Sequence, residues 1–146
     1  MHKTLTIAAA LCLASAAALA QSSPAGLWRT IDDDGKTEKS HVRITEAGGA
    51  LSGRIEKIAD PSKQSARCAD CEGARKDQPV LGMTIIEGVR RSSGGEHWDS
   101  GTILDPNNGK TYKVRMTLKD GGRALDVRGY VGTPLLGRTQ TWQRVE

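Results

Sequence analysis

Tyr112-Lys113-Val114-Arg115-Met116-Thr117-Leu118 alternates without a break: Tyr112, Val114, Met116 and Leu118 fall on one side of the chain, Lys113, Arg115 and Thr117 on the other. A period of two marks a β-strand with one buried face and one wetted face. Turn formers bound the stretch, Asn108-Gly109 before it and Asp120-Gly121-Gly122 after it, so it reads as one member of a series of hairpins. The alternation recurs on both sides of it. Val42 and Ile44 oppose His41 and Arg43, Leu51 and Ile55 oppose Arg54 and Glu56, and Leu125, Val127 and Val131 oppose Asp126 and Arg128. The spacing predicts strands over 26–32, 39–46, 50–58, 80–88, 97–104, 110–118, 123–131 and 135–145. Asp34-Gly35 and Gly48-Gly49 supply further tight turns. Antiparallel strands in hairpin order lose their exposed edges by closing on themselves, which predicts an all-β, eight-stranded antiparallel up-and-down barrel.

At the start of the chain, Met1, His2 and Lys3 precede an uncharged apolar run from Leu5 to Leu19 that ends in Ala18-Leu19-Ala20. These are the regions of a secretory signal peptide, with cleavage expected after Ala20 and a periplasmic or secreted product. The run is short for a bilayer span, and Cys12 follows Leu11 rather than a small residue; no stable membrane anchor is expected. Residues 1–20 are thus a leader and 21–146 one domain with one modest core. Without Lys3, 20 cations face 17 carboxylates, interspersed along the chain. That mixed surface, with three Trp, two Tyr and no Phe, lacks the basic patch and stacking platform of a nucleic-acid binder. Nothing in the pattern specifies an oligomeric state.

Two connections break the hairpin rhythm. Residues 59–79 are too many for an ordinary turn and hold Cys68-Ala69-Asp70-Cys71, so the segment reads as a functional lid or a stapled excursion. In an exported chain the pair reads first as a structural disulfide. A redox-active dithiol would need a helix start or a cation beside it, and Arg67 is the neighbour available. A zinc site would need two more ligands, and His41 and His97 stand alone on separate segments. Residues 90–96, with Ser92-Ser93-Gly94-Gly95, read as a flexible loop tip. No Gly-x-Ser-x-Gly, His-Glu-x-x-His or phosphate-cradling loop is present, so the chain is not expected to be an enzyme and no cofactor is implied. Asp32-Asp33-Asp34-Gly35 reads as a polar turn rather than a calcium loop.

Several stretches together resemble a bacterial exported family known as domain of unknown function 2147: Gly26-Leu27-Trp28, Cys68-x-x-Cys71, the run from Gly101 through Leu104-Asp105-Pro106 to Tyr112, Val127-Arg128-Gly129-Tyr130, and Gly137 through Trp142. The resemblance implies a calycin or lipocalin-like barrel and, by analogy of fold alone, small-ligand binding. In lipocalin-like barrels a Gly-x-Trp on the first strand and an Arg on the last close the base, the cation lying on the indole face. Gly26, Trp28, Trp142 and Arg144 occupy those places.

If Trp142 points inward, so do Arg138 and Gln140. The alternative puts Gly137 and the threonines inside. The leading expectation is a cavity that takes a small, partly apolar molecule with a polar or anionic group. Met83, Ile85, Leu104, Tyr112, Val114, Met116, Leu125 and Val127 would wall it, Arg128, Tyr130, Arg138 and Gln140 would orient the polar group, and the 59–79 loop would cover the mouth. A bulky charge at Val114 would then weaken binding without unfolding the barrel. The alternative is an envelope interaction module meeting an anionic partner through Arg43, Arg54, Lys113 and Arg115. A thiol oxidoreductase working through Cys68 and Cys71 is a third reading.

Overall fold

The computed structural model describes residues 23–146; the expected signal peptide, the expected cleavage after Ala20 and Cys12 lie outside the described residues. Eight antiparallel strands run in chain order: β1 (Gly26–Ile31), β2 (Glu38–Ala47), β3 (Ala50–Ile58), β4 (Thr84–Arg91), β5 (Trp98–Asp105), β6 (Lys110–Lys119), β7 (Ala124–Tyr130) and β8 (Gly137–Arg144). Each pairs with its sequence neighbours and β8 returns to β1, closing the barrel. The alternation of β6 is the reason Val114 and Met116 are fully buried while Lys113 is exposed. Between β2 and β3, Ala47 pairs with Ala50. The intervening Gly48 and Gly49 have φ of 58° and 79°, the left-handed conformation at both positions that a two-residue hairpin needs to follow strand twist.

Two strands start two or more residues later than the sequence expectation, and β4 also runs three residues further, to Arg91. β4 begins at Thr84, not at 80. Val80 to Met83 instead form a turn, with the Met83 amide donating to Val80 O at 3.1 Å and the Gly82 amide reaching across to Ile55 O at 2.8 Å. β8 begins at Gly137 because Pro134–Leu136 is a single 3-10 turn. Proline at its start cannot donate to a ladder.

The 59–83 connection is a stapled excursion. Cys68 and Cys71 form a disulfide, Arg67 bridges to Pro79, and the Cys68 amide donates to Gln78 O at 2.9 Å. The loop lies so close on the β5–β6 turn that a Cβ at Gly109 would collide with Asp70 O. Both cysteines are buried against the barrel.

The interior has two unlike halves. One end is packed by Trp28, Val42, Ile44, Leu51, Ile86, Val89, Val114, Met116 and Leu125, all nearly or wholly inaccessible. Burying side chains of this size stabilises the fold by about 1.5–3 kcal/mol each. The other end, where the 32–37, 59–83, 106–109 and 131–136 connections emerge, is hollow.

Candidate functional site

The closed end is built on the two chain ends. Arg144 Cζ stands 4.3 Å from the centroid of the Trp28 ring. Its guanidinium donates to Gly122 O at 2.6 Å, Ala25 O at 2.8 Å and Ser23 O at 2.7 Å. Trp28 Nε1 donates to Pro24 O at 2.7 Å. Burial lowers the Arg144 pKa from its ordinary value, a cost of desolvating the cation that those carbonyls offset. Gly26 is the close-approach point: a Cβ there would collide with Glu146 O.

From this base the barrel opens into a cavity of about 700 Å³ at its other end. Ile55, Ile58, Ile85, Ile103, Leu104, Tyr112 and Val127 supply apolar wall. Trp142, buried and paired with Leu125, lies at its floor. Trp142 therefore points inward, and Gln140 and Arg138 follow it on the same face of β8. Their polar groups are tied across the β8–β1 seam to the β1–β2 turn. Trp142 Nε1 donates to Gln140 Oε1 at 3.2 Å, Gln140 Nε2 donates to Asp33 Oδ1 at 3.0 Å, and Arg138 Nη1 pairs with Asp33 Oδ2 at 3.0 Å. Asp33 thus neutralises Arg138, the one arginine on the cavity lining among the described residues. Thr30 and Ser40 add a second polar spot, their hydroxyls 2.8 Å apart.

Charged groups ring the mouth: Asp32, Glu38, Asp60 and Asp105 against Lys39 and Lys63. Lys39 pairs with Asp32 at 3.8 Å. Asp60 caps the short turn that follows it, accepting from the Ser62 hydroxyl and amide. Those bonds to the ionised form, the hydroxyl first, hold its carboxyl below the ordinary carboxylate range.

Seven of the expected ligand-binding residues line this space: Ile85, Leu104, Tyr112, Val127, Tyr130, Arg138 and Gln140. Tyr130 reaches only the rim, with its Cβ beside Gly137 on the outer face. Val114, Met116 and Leu125 do not line it; they belong to the packed end. A charge at Val114 would break that packing, so Val114 is no probe of the cavity. Met83 is buried in the turn before β4 and does not line it either. Arg128 lies on the outer face, where Nε donates to Pro134 O at 2.6 Å and Nη1 to Thr139 Oγ1 at 2.9 Å. It has the parity of Asp126, opposite to Val127.

Asp33, Ile55 and Ile103 were missed. Ile103 is recognisable only in register, where it faces Tyr112 across the β5–β6 pair. Asp33 carries no strand-parity signal because it sits in a turn. The residues expected to form one outer basic face fall into two separate groups: Arg43 and Arg54 are cross-strand partners on β2 and β3, and Lys113 and Arg115 share the outer face of β6. Glu56 and Glu146 hold Arg43 at 2.7 and 2.5 Å, and Glu146 in particular raises its pKa. Thiol exchange through Cys68 and Cys71 would need access to sulfurs that are buried.

Over residues 26–144 the chain matches the family described as uncharacterized protein conserved in bacteria (DUF2147). No curated protein matches it. Among solved structures it is similar to protein HP1028 of the human pathogen Helicobacter pylori, described as belonging to the lipocalin family. The TM-score is 0.71 at 20% identity, covering 84% of this chain and 82% of that one. At that identity the likeness concerns the fold, an eight-stranded closed barrel with the same lipocalin-like plan. The chain belongs to the bacterial family of domain of unknown function 2147.

Proposed function

We propose that this chain is an exported, non-catalytic barrel that holds one small molecule, mostly apolar with a polar end, in its open-end cavity. One observation carries the reading: half the interior is packed like a core, and the other half is a cavity of about 700 Å³, inside the range of about 300–1,000 Å³ common for small-molecule sites. The apolar part of the ligand lies against Ile103, Tyr112, Val127 and Trp142. Its polar end meets Gln140, Thr30 and Ser40. Because Asp33 already pairs with Arg138, the lining favours a hydrogen-bonding end over an anionic one. Export rests on the leader and is supported by the Cys68–Cys71 disulfide, a bond that persists in oxidising compartments.

Mass spectrometry of small molecules released from natively purified protein tests the binding role. One apolar compound recovered in near-equal amount to protein is the expected result. A protein that yields none and also takes up no apolar probe would refute it. Export is checked separately by N-terminal sequencing of the periplasmic fraction, with Gln21 as the expected first residue.

A further inference from the structure

The β7–β8 connection carries apolar side chains where solvent should favour polar ones. Val131, Leu135 and Leu136 are 64%, 89% and 73% exposed. The connection is braced rather than loose: the Leu136 amide donates to Thr133 O at 3.0 Å, and Arg128 Nε holds Pro134 O at 2.6 Å. Two adjacent leucines held outward at a loop tip are a presented surface, not an incidental one.

Below the tip, the outer face of β6 and β7 carries Lys113, Arg115, Lys119 and Arg128 against Asp126. Lys119 takes up Asp126 at 3.8 Å. Arg115 and Arg128 are direct cross-strand partners, a like-charge arrangement that destabilises a sheet unless an anion lies over it. Among the described residues neither has a carboxylate within ion-pair distance, and Arg115 Nε is buried without a hydrogen-bond partner. Tyr130 pairs across from Lys113, at the level between the apolar tip and the arginines, the position at which tyrosine favours a membrane–water boundary. Of the acidic groups near the tip, Glu72 on the long loop shares a surface groove with Val131, and Asp33 is already paired with Arg138.

We propose that this tip docks on a phospholipid bilayer bearing anionic headgroups, with Leu135 and Leu136 among the acyl chains and Lys113, Arg115 and Arg128 at the phosphates. Apolar burial and attraction between unlike charges then act together at one surface. Val131 and Leu136 also line the cavity mouth, so docking sets the opening against lipid. The docking does not depend on the cavity being occupied.

The test is co-sedimentation of the whole chain with vesicles of phosphatidylethanolamine and phosphatidylglycerol, and with vesicles of phosphatidylcholine alone. Binding to the anionic vesicles, reduced by salt and weakened roughly tenfold or more in the double variant Leu135→Ser/Leu136→Ser, is the expected result. Lys113→Gln/Arg115→Gln should weaken anionic binding while leaving the melting temperature unchanged or raised, since it relieves the repulsion between Arg115 and Arg128. Equal sedimentation of wild type and the serine variant overturns the proposal. So does no binding, or a concentration-dependent dimer abolished by the serine variant, which would assign the tip to a second copy of the chain.

Discussion

Arg144 ties the two ends of the chain together at the base of the barrel. It stacks on Trp28 and satisfies three carbonyls from two distant points of the chain, Ser23 and Ala25 before β1 and Gly122 before β7. Arg144→Met should cost about 3 kcal/mol, because charge-assisted hydrogen bonds are lost and buried carbonyls are left bare. Arg144→Lys should recover only part of this, since one ammonium cannot reach three acceptors that a planar fork spans. Guanidinium unfolding midpoints at constant slope would measure both. Asp60 gives a pH signature at the same scale. Its carboxyl is held below the ordinary range by Ser62, so the capped turn is favoured above the unfolded-state value and loses that support as pH falls through the depressed one. Amide exchange at Ser62, corrected for intrinsic rates, should accelerate on acidification below the carboxylate range. A protection factor unchanged across that window would contradict the cap.

At the scale of elements, the 59–83 connection is a separately stapled unit resting on the barrel. Cys68→Ser/Cys71→Ser removes a small ring, whose loss should cost about 2 kcal/mol, and should expose the loop to protease before the strands. Thermal melts and mapped proteolysis would check this; cleavage starting in the strands would show that the staple has no local role. The strands themselves were legible because period-two runs such as that in β6 carry their own evidence. β4 was misplaced because Val80, Leu81 and Met83 are apolar enough to imitate strand, while the turn through Gly82 that displaces them depends on contact with Ile55. The candidate site was half legible for the same reason. Strand parity reveals which residues face inward, and so found Tyr112, Val127 and Gln140. It does not reveal which inward residues meet neighbours and which meet space, and so it placed Val114, Met116 and Leu125 in a cavity they do not line. That distinction is set by cross-strand depth and by turns such as the one that carries Asp33.

For the whole molecule, closure is uneven. β1 and β8 share the pairs Trp28↔Arg144 and Arg29↔Gln143, and toward the mouth the contacts of Asp33 with Arg138 and Gln140 span the two sides. Asp33→Ala should therefore raise amide exchange near the mouth end of β1 and β8 while leaving β6 protected; uniform change would mean the contact is not local. The central claim is that the mouth half of the barrel is hollow and takes an apolar guest. Gly129 is the place to test it, because a Cβ there would make only ordinary contact, 3.6 Å from Tyr112 Cβ and 3.7 Å from Ile103 Cγ2, and a larger side chain would extend into the cavity. The measurement is a fluorescence titration with the neutral apolar probe N-phenyl-1-naphthylamine, on wild type and on Gly129→Leu of matched melting temperature. The account predicts one saturable site in wild type, with tryptophan emission partly quenched, weakened roughly tenfold or more by the leucine, which removes the space that the guest needs. Equal binding by the two proteins, or no saturable binding in wild type, would contradict it.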